Sequence, residues 1–207
     1  MPYHPLDPLD VQIHTSVASS LLNLRPWEDS KEGSYVDCLL LHSPLPTIEQ
    51  TIEAWQLLES YVPDKIRALG ISNVTLPILQ HIYEHSTIKP SVVQNRFYSQ
   101  TKYDVPLRAF CREYGISYQS FWTLSGNPKL LKSEPVTTIA QATGVSESVA
   151  LYALVSDLGI ISLNGTKSSK HMDDDIAGIQ DIRNWAENHE KQWLQATLGF
   201  KKLIEPS

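Results

Sequence analysis

Polar side chains that can hydrogen-bond or exchange protons stand directly after five apolar runs of this sequence. Each run is short and continuous, which is typical of a parallel strand buried on both faces. The carboxyl ends of parallel strands meet at one edge of a sheet, so we expect these side chains to lie close together and form a site. The positions are His42, Ser72 with Asn73, Gln94 with Asn95, Trp122 with Thr123, and Asn164 with Gly165.

Each of these positions, taken alone, also has a structural interpretation. His42 follows the run Val36–Leu41 and could be a packed histidine at a strand end. Ser72 and Asn73 could cap the next helix with their short polar side chains. Gln94 lies in an apolar run, where a buried amide needs a hydrogen-bonding partner from a neighbouring residue or a ligand. The repetition of polar residues at five strand ends favours a site.

Other kinds of catalytic or metal site have little support. No G-x-G-x-x-G, Walker A or G-x-S-x-G motif occurs, and no pair of acids indicates glycosidase chemistry. The run from Asp173 to Asp175 is typical of a solvated helix start, where negative charge suits the helix dipole. No metal is expected, because none of these histidines stands at metal-ligand spacing from a cysteine or carboxylate: His14, His81, His85, His171 and His189.

The composition indicates a globular protein in a reducing compartment. The 207 residues carry a net charge of −6 without a basic cluster, so neither nucleic acid nor an anionic membrane surface is an expected partner. No apolar run approaches the roughly 20 residues that span a bilayer, and no secretory signal is visible. Cys38 and Cys111 lie in apolar stretches and are expected to be buried free thiols. A cytoplasmic location is therefore expected.

Strands and helices alternate at intervals that indicate parallel strands joined by crossover helices. Two architectures fit, an open doubly wound sheet and part of a (β/α)8 barrel, and the polar strand ends favour the barrel. Thr47 is expected to cap the helix that follows it. Strands are predicted at 36–41, 68–72, 91–95, 116–121 and 159–163, and helices at 9–24, 48–58, 76–84, 105–114, 136–143, 146–158 and about 169–200.

Five segments carry a resemblance to a known family: YVDCLLLHSP, KIRALGISN, KPSVVQNRFY, CREYGISYQSFWTLSGNPKLL and GVSESVALYALVSDLGIISLNGT. In this order they resemble strands four to eight of the aldo-keto reductases, over about residues 9 to 179. The phrases YQSFW and LNGT are most similar to a divergent, fungal-type branch. The resemblance implies an α/β fold of the parallel (β/α)8 TIM-barrel class, here an incomplete barrel of about strands four to eight with surrounding helices.

The resemblance also implies an oxidoreductase that transfers hydride from NAD(P)H to an aldehyde or ketone, in a biosynthetic pathway. His42 would orient the substrate carbonyl, whereas Ser72, Asn73 and Gln94 would hydrogen-bond the nicotinamide carboxamide. An amide needs donors and acceptors in one plane, and these three side chains supply both. Phe121 falls where the family usually has a tyrosine stacked on the nicotinamide, and phenylalanine keeps the stacking face.

The remaining cofactor positions follow the seventh and eighth strands of the resemblance. NADP(H) is the expected cofactor, but Asn164 stands where the family usually has a lysine for the 2′-phosphate, so NAD(H) stays open. Lys167 and Lys170 are the nearby cations, and a lysine contacts phosphate as a point charge. The pyrophosphate loop would be lined by Trp122, Thr123, Leu124 and Gly126, and the 2′-phosphate end by Asn164, Gly165, Thr166 and Lys170.

The family's catalytic tetrad of Asp, Tyr, Lys and His is represented by His42 alone. The resemblance places the other three on strands one to three, which precede the first matched segment, and Tyr3 lies in a Pro-rich stretch without strand or lysine context. A single aldo-keto reductase domain is expected over 1–207, without strands one to three and with a C-terminal helix and tail at 180–207. An open barrel exposes two strand edges, which predicts self-association.

Three functions stay open from the sequence alone. The first is a reductase that acts on a small-molecule carbonyl substrate. The second is a catalytically dead remnant that binds nucleotide or a partner chain along its strand edges. The third is a non-redox enzyme that reuses the pocket around His42.

Overall fold

Parallel β-strands alternate with α-helices in this protein, as a computed structural model shows for residues 4–26 and 34–205. The five strands of these described residues form one sheet in the order β1-β2-β3-β4-β5. The strands are β1 (Val36–Leu41), β2 (Ile66–Ser72), β3 (Val92–Arg96), β4 (Ser117–Phe121) and β5 (Ile161–Ser162). The helices are α1 (Leu9–Asn23), α2 (Ile48–Glu59), α3 (Leu76–His85), α4 (Val105–Glu113), α5 (Pro128–Leu131), α6 (Glu134–Thr143), α7 (Glu147–Asp157), α8 (Ser169–Asn188) and α9 (Glu190–Ile204).

The predicted alternation of strands and helices is confirmed, with differences at a few boundaries. Strand β1 has the predicted bounds. Strand β5 is shorter than predicted, because Gly159 adopts a left-handed backbone (φ +77°) after α7 and only Ile161–Ser162 remains extended and paired. The predicted last helix is two helices, which meet at the non-helical His189 (φ −135°). A 3-10 segment, Ser99–Asp104, and the four-residue helix α5 are too short to show a periodic pattern in the sequence.

The described chain divides into two compact units. The first consists of the chain up to Gln94 together with Phe110–Ile116, and the second consists of Asn95–Ala109 together with the chain from Ser117 onward. Strand β3 and helix α4 each contribute residues to both units. The single domain expected over 1–207 stays a prediction.

In the first unit, β1, β2 and β3 run parallel, with Leu40 opposite Gly70 and Gly70 opposite Val92. This close approach requires glycine, because a Cβ atom at Gly70 would lie 2.6 Å from the carbonyl oxygen of Val92 and 2.7 Å from Cδ2 of Leu40. The same register places Ser72 opposite Gln94. The carboxyl ends of β2 and β3, which carry predicted site residues, are therefore aligned.

Strand β1 is not buried on both faces, contrary to the prediction. Its residues are half-buried and Asp37 is exposed, whereas Leu69 and Ile71 of β2 are fully buried. Strand β1 is less buried than β2 because it stands at one end of the strand order and pairs only with β2 among the described strands. Cys38 and Cys111 are free thiols as predicted, but only Cys111 is buried.

Helix α2 buries one apolar face in the first unit. Its N-terminus is capped as predicted, because the Thr47 hydroxyl accepts a hydrogen bond from the backbone N–H of Gln50 at 3.2 Å. Trp55 is fully buried, and its indole N–H donates to the carbonyl oxygen of Ile88 at 2.9 Å. The other buried apolar residues of this unit include Ala54, Leu58, Ile66, Leu69, Ile71, Leu79, Ile82 and Val93.

In the second unit, helix α7 lies at the centre of the core. Every residue from 149 to 155 is buried, which is typical of a helix surrounded by other elements. Those elements include α6, α8, α9 and β5. Strand β4 pairs with β5 in parallel, with Gln119 opposite Ile161 and Ser120 opposite Ser162.

Trp55→Phe is expected to lower the free energy of unfolding by about 1–3 kcal/mol. The substitution leaves the carbonyl oxygen of Ile88 without its indole donor and empties part of a fully buried volume. Urea unfolding followed by circular dichroism measures the change. Trp185→Phe is the matched control, because Trp185 is half-buried and stacks on His189. Equal losses in the two variants would contradict the expectation.

Candidate active site

Four predicted site residues lie together at the carboxyl ends of β1, β2 and β3 in the first unit: His42, Ser72, Asn73 and Gln94. The Ser72 hydroxyl donates to the carbonyl oxygen of Gln94 at 2.6 Å, and the backbone N–H of Asn73 donates to the same oxygen at 3.1 Å. The side-chain amide of Asn73 donates to the carbonyl oxygen of His42 at 2.9 Å and to the Ser72 hydroxyl at 3.1 Å. Ser72 and Asn73 therefore join the ends of three neighbouring strands.

Asn73 makes these contacts from a left-handed backbone conformation, with φ +54°. Few residues that carry a Cβ atom adopt this conformation, and asparagine is among those that tolerate it best. The N-cap of α3 is Thr75, so helix capping does not account for Ser72 and Asn73. Residues held in sparsely populated conformations are concentrated at functional sites, which adds to the case for a site here.

His42 is exposed directly after β1, so it is not a packed core histidine. It lines a cavity of about 210 Å³, together with apolar residues of β1 and α1 and the polar side chains of Gln12 and Ser16. An imidazole in this position can donate or accept a hydrogen bond within the cavity.

The buried amide of β3 is Asn95 rather than Gln94. Gln94 is half-buried, whereas Asn95 is 5% exposed. In the second unit, the Asn95 amide donates to Oδ2 of Asp104 at 2.8 Å, and the Tyr118 hydroxyl donates to the same oxygen at 2.9 Å. The sequence could not separate the two neighbouring amides, because the carboxylate that pairs with Asn95 comes from a segment with no recognisable pattern.

That segment, Ser99–Asp104, has an unusual backbone. Lys102, Tyr103 and Asp104 have φ values of +51°, +53° and +51°, and each such residue costs about 1–2 kcal/mol. The buried Arg108 supports them, because its Nε donates to the carbonyl oxygen of Tyr103 at 2.8 Å and its guanidinium pairs with Glu205 at 2.8 Å. Arg108 therefore holds the backbone directly before Asp104, whose carboxylate accepts from Asn95 and Tyr118.

The loop after β4 is a tight turn in the second unit. Its start, Trp122, is left-handed (φ +60°) and 51% exposed, and the backbone N–H of Gly126 donates to its carbonyl oxygen at 2.8 Å. The Thr123 hydroxyl is buried against the Ser120 hydroxyl at 2.8 Å, and the Asn127 amide donates to the Thr123 carbonyl oxygen at 3.1 Å. Of the other residues predicted here, Phe121, Leu124 and Gly126 are half-buried.

Sequence reasoning missed Arg96, the last residue of β3. Its guanidinium carbon lies 4.8 Å from the centre of the Trp122 ring and 5.3 Å from the centre of the Phe121 ring. Tyr98 meets Trp122 edge to face, at 6.2 Å between ring centres. The available signal was the position itself, since Arg96 directly follows the two amides that were identified.

The residues predicted after β5 form a hydrogen-bonded loop before α8. The Asn164 amide donates to the Asp175 carboxylate, and its oxygen accepts from the backbone N–H of Thr166 at 2.9 Å. The Lys170 ammonium pairs with Asp174 at 2.6 Å, one helical turn further on. The positive charge at Lys170 is therefore offset by a neighbouring carboxylate. Asn164, Gly165 and Lys170 are exposed, and Thr166 is half-buried.

Asp175 lines a largely apolar cavity of about 480 Å³, with Tyr152, Asn164, Met172 and Ile176 among its other residues. Burial raises the pKa of the Asp175 carboxyl above its ordinary value of 3.8, and the hydrogen bond from Asn164 offsets only part of this rise. Burial also raises the pKa of the Tyr152 hydroxyl, with a further contribution from the Asp175 charge. Folding therefore favours the protonated form of Asp175 relative to the unfolded chain.

Within residues 4–26 and 34–205, no three His, Cys, Asp or Glu side chains are grouped closely enough to hold a metal ion. In the same part of the chain, no helix is long and apolar enough to cross a membrane.

The sequence matches the family model described as "Aldo/keto reductase family" over residues 13–134. This match covers more than half of the 207 residues, and the chain belongs to the aldo/keto reductase family. The family predicted from five short segments is thereby confirmed.

The chain matches only part of the length of relatives that are named for an activity. The chain is 28% identical over 177 residues to an NAD/NADP-dependent indole-3-acetaldehyde reductase of Schizosaccharomyces pombe, covering 76% of this chain and 62% of that protein. It is 32% identical over 132 residues to a glyoxal reductase of Bacillus subtilis, covering 62% and 46%. The chain thus spans about half to two thirds of these relatives. The expected fungal-type branch stays a prediction.

Solved structures confirm the fold class. An aldo-keto reductase of the silkworm, Bombyx mori, complexed with NADPH, is similar with a TM-score of 0.66 at 17% identity, covering 86% of this chain and 59% of that one. The parallel sheet with its helices is accordingly part of a (β/α)8-barrel fold, as predicted.

The Asp175→Asn variant is expected to gain stability relative to the wild type as the pH rises from acidic to neutral. When folding raises the pKa of a carboxyl, the group stabilises the folded state at pH values below its ordinary, unfolded pKa. That stabilisation is lost as the pH rises through the pKa of the folded state. The variant cannot ionise, so its advantage in melting temperature over the wild type should grow from about pH 4 upward. Thermal unfolding at pH 4, 5.5 and 7 measures it, with Asp173→Asn as the control for net charge. A difference that does not vary with pH would contradict the expectation.

Proposed function

We propose that this chain serves the NAD(P)H-dependent reduction of an aldehyde or ketone. The observation that carries the proposal is the hydrogen-bonded cluster of Ser72 and Asn73 beside Gln94 and His42 at aligned strand ends. When bound, the nicotinamide group supplies hydride to the carbonyl carbon. The residues present fit its carboxamide, because a primary amide needs both donors and acceptors: the Gln94 amide has both, and the oxygens of the Asn73 amide and the Ser72 hydroxyl add acceptors.

In this proposal the cluster binds and orients rather than reacts. Ser72, Asn73 and Gln94 hold the carboxamide and so decide which ring face meets the substrate. His42 donates an imidazole N–H to the substrate's carbonyl oxygen, which orients it and stabilises the charge that develops there. The bond from Asn73 to the His42 carbonyl oxygen fixes the backbone that carries the imidazole. Tyr3 lies outside the described residues and is given no role, so the proton that completes the alcohol would come from water at the substrate's oxygen.

We propose NADP(H) as the cofactor, with weak discrimination against NAD(H). In the second unit, the loop from Trp122 to Gly126 would line the pyrophosphate, and Asn164, Gly165, Thr166 and Lys170 would lie at the 2′-phosphate. Asn164 carries no charge and the Lys170 ammonium is paired with Asp174, so of the two nearby lysines the exposed Lys167 is left to favour the extra phosphate, as a single point charge. The fission-yeast relative is itself named as NAD/NADP-dependent.

The nucleotide test titrates the full chain with NADPH and with NADH and follows nicotinamide fluorescence. Asn73→Gly is expected to weaken NADPH binding about tenfold, because it removes the side-chain amide, whereas glycine keeps the left-handed backbone without strain. Asn188→Ala, at an exposed position of α8, is the matched control. Unchanged affinity in a folded Asn73→Gly variant, or no binding by the wild type, would refute the proposed carboxamide contact.

The catalytic test follows NADPH oxidation with indole-3-acetaldehyde and with glyoxal. His42→Ala is expected to abolish reduction and leave the NADPH dissociation constant within about twofold, because the imidazole contacts the substrate rather than the nucleotide. Nucleotide binding without any reduction by the wild type would instead favour the catalytically inactive alternative. A cytoplasmic location and a place in a biosynthetic pathway stay predictions.

We also propose that the chain self-associates along its outer strands. Among the described strands, β1 and β5 stand at the two ends of the order, and on and after β5 Ile161 is 51% and Leu163 is 38% exposed. Sedimentation velocity is expected to show dimers or larger species, and Ile161→Lys should shift them toward monomer because a charged edge disfavours strand pairing. A concentration-independent monomer would contradict this proposal.

A further inference from the structure

Arg96 and the aromatic residues after β4 form a stack in the second unit. The guanidinium lies against both the Trp122 and Phe121 rings, at 4.8 and 5.3 Å from their centres. Trp122 is half exposed to solvent, so a small molecule can reach the stack. The Trp122 backbone is fixed by the hydrogen bond from Gly126, and Tyr98 supports the indole ring edge to face.

This arrangement leaves the guanidinium suited to an anion. An arginine that stacks on aromatic rings uses its flat face for the stack, whereas its N–H groups point outward in the plane. Five N–H donors are available to a guanidinium, so it can serve a protein acceptor and an incoming carboxylate together. Carboxylate and phosphate oxygens match its fork of donors in bidentate geometry.

We propose that Arg96 is an anion-binding residue, and that its guanidinium takes either a carboxylate on the carbonyl substrate or a phosphate of the nucleotide. The inference rests on the proposed function, because the resemblance places Phe121 against the nicotinamide and the Arg96 guanidinium lies 5.3 Å from the centre of the Phe121 ring. It goes further by naming the substrate class for the first of these sources. Aldehydes or ketones that carry a carboxylate would be preferred over neutral ones.

The experiment measures binding by calorimetry with two aldehydes that differ in charge, 4-carboxybenzaldehyde and methyl 4-formylbenzoate, and with NADPH. Wild type is expected to bind the acid about tenfold to a hundredfold more tightly than the ester, the range of a charge-assisted hydrogen bond. Arg96→Met should abolish that preference and leave ester binding unchanged. Arg96→Lys should restore part of it, because the charge returns without the planar fork. Arg112→Met, at an exposed position of α4, is the matched control.

The outcomes distinguish a substrate carboxylate from a nucleotide phosphate as the bound anion. They also distinguish failure of the anion site from failure of the proposed reductase. Loss of the acid preference in Arg96→Met assigns the carboxylate, and loss of NADPH affinity alone assigns the phosphate. If neither changes, or if Arg112→Met has the same effect, the inference is overturned. An Arg96-dependent acid preference without carbonyl reduction would refute the reductase and leave the anion site standing. Carbonyl reduction that is unchanged in Arg96→Met would refute the anion site and leave the proposed reductase standing.

Discussion

The side chain of Asn73 is the constraint on which the first unit's cluster depends. One amide donates to the backbone of His42 on one side and to the Ser72 hydroxyl on the other, while its own backbone N–H reaches Gln94. These bonds need the left-handed backbone at this position. They also need β2 and β3 to lie close, which the missing Cβ atom of Gly70 permits. Four residues become one cluster because one residue has an unusual conformation and another has no side chain.

Much of this could be predicted from the sequence, because local patterns determine it. Short apolar stretches located the five described strands, although β4 (Ser117–Phe121) is interrupted by polar residues, and Thr47 with Gln50 three positions on predicted a helix cap. The polar residues at strand ends located Ser72 and Asn73 because a parallel arrangement places such ends side by side. The family followed from segments in a fixed order, and the family match over residues 13–134 agrees with it.

The remainder depends on contacts between distant residues, which no local pattern encodes. The burial of β1 was overestimated because the number of neighbours of a strand is a property of the sheet. Asn95 and Gln94 are indistinguishable until Asp104 is placed beside one of them. Arg96 resembles any surface arginine until two aromatic rings are found beneath it. The i,i+4 spacing of Lys170 and Asp174 predicts their ion pair. The effect of that pair on the choice between NADP(H) and NAD(H) depends on the position of Asn164, which bonds to Asp175.

The ion pair between Arg108 and Glu205 has a consequence for mutations that truncate the chain. Arg108 is almost fully buried, and the same guanidinium supports the three left-handed residues that carry the Asp104 carboxylate. Glu205 is separated from Arg108 by 97 positions in the chain. A nonsense mutation that removed only the last turn of α9 would therefore leave a buried cation without its counter-charge. Such an allele would encode every residue of the candidate site and still weaken the backbone that holds Asn95 in place.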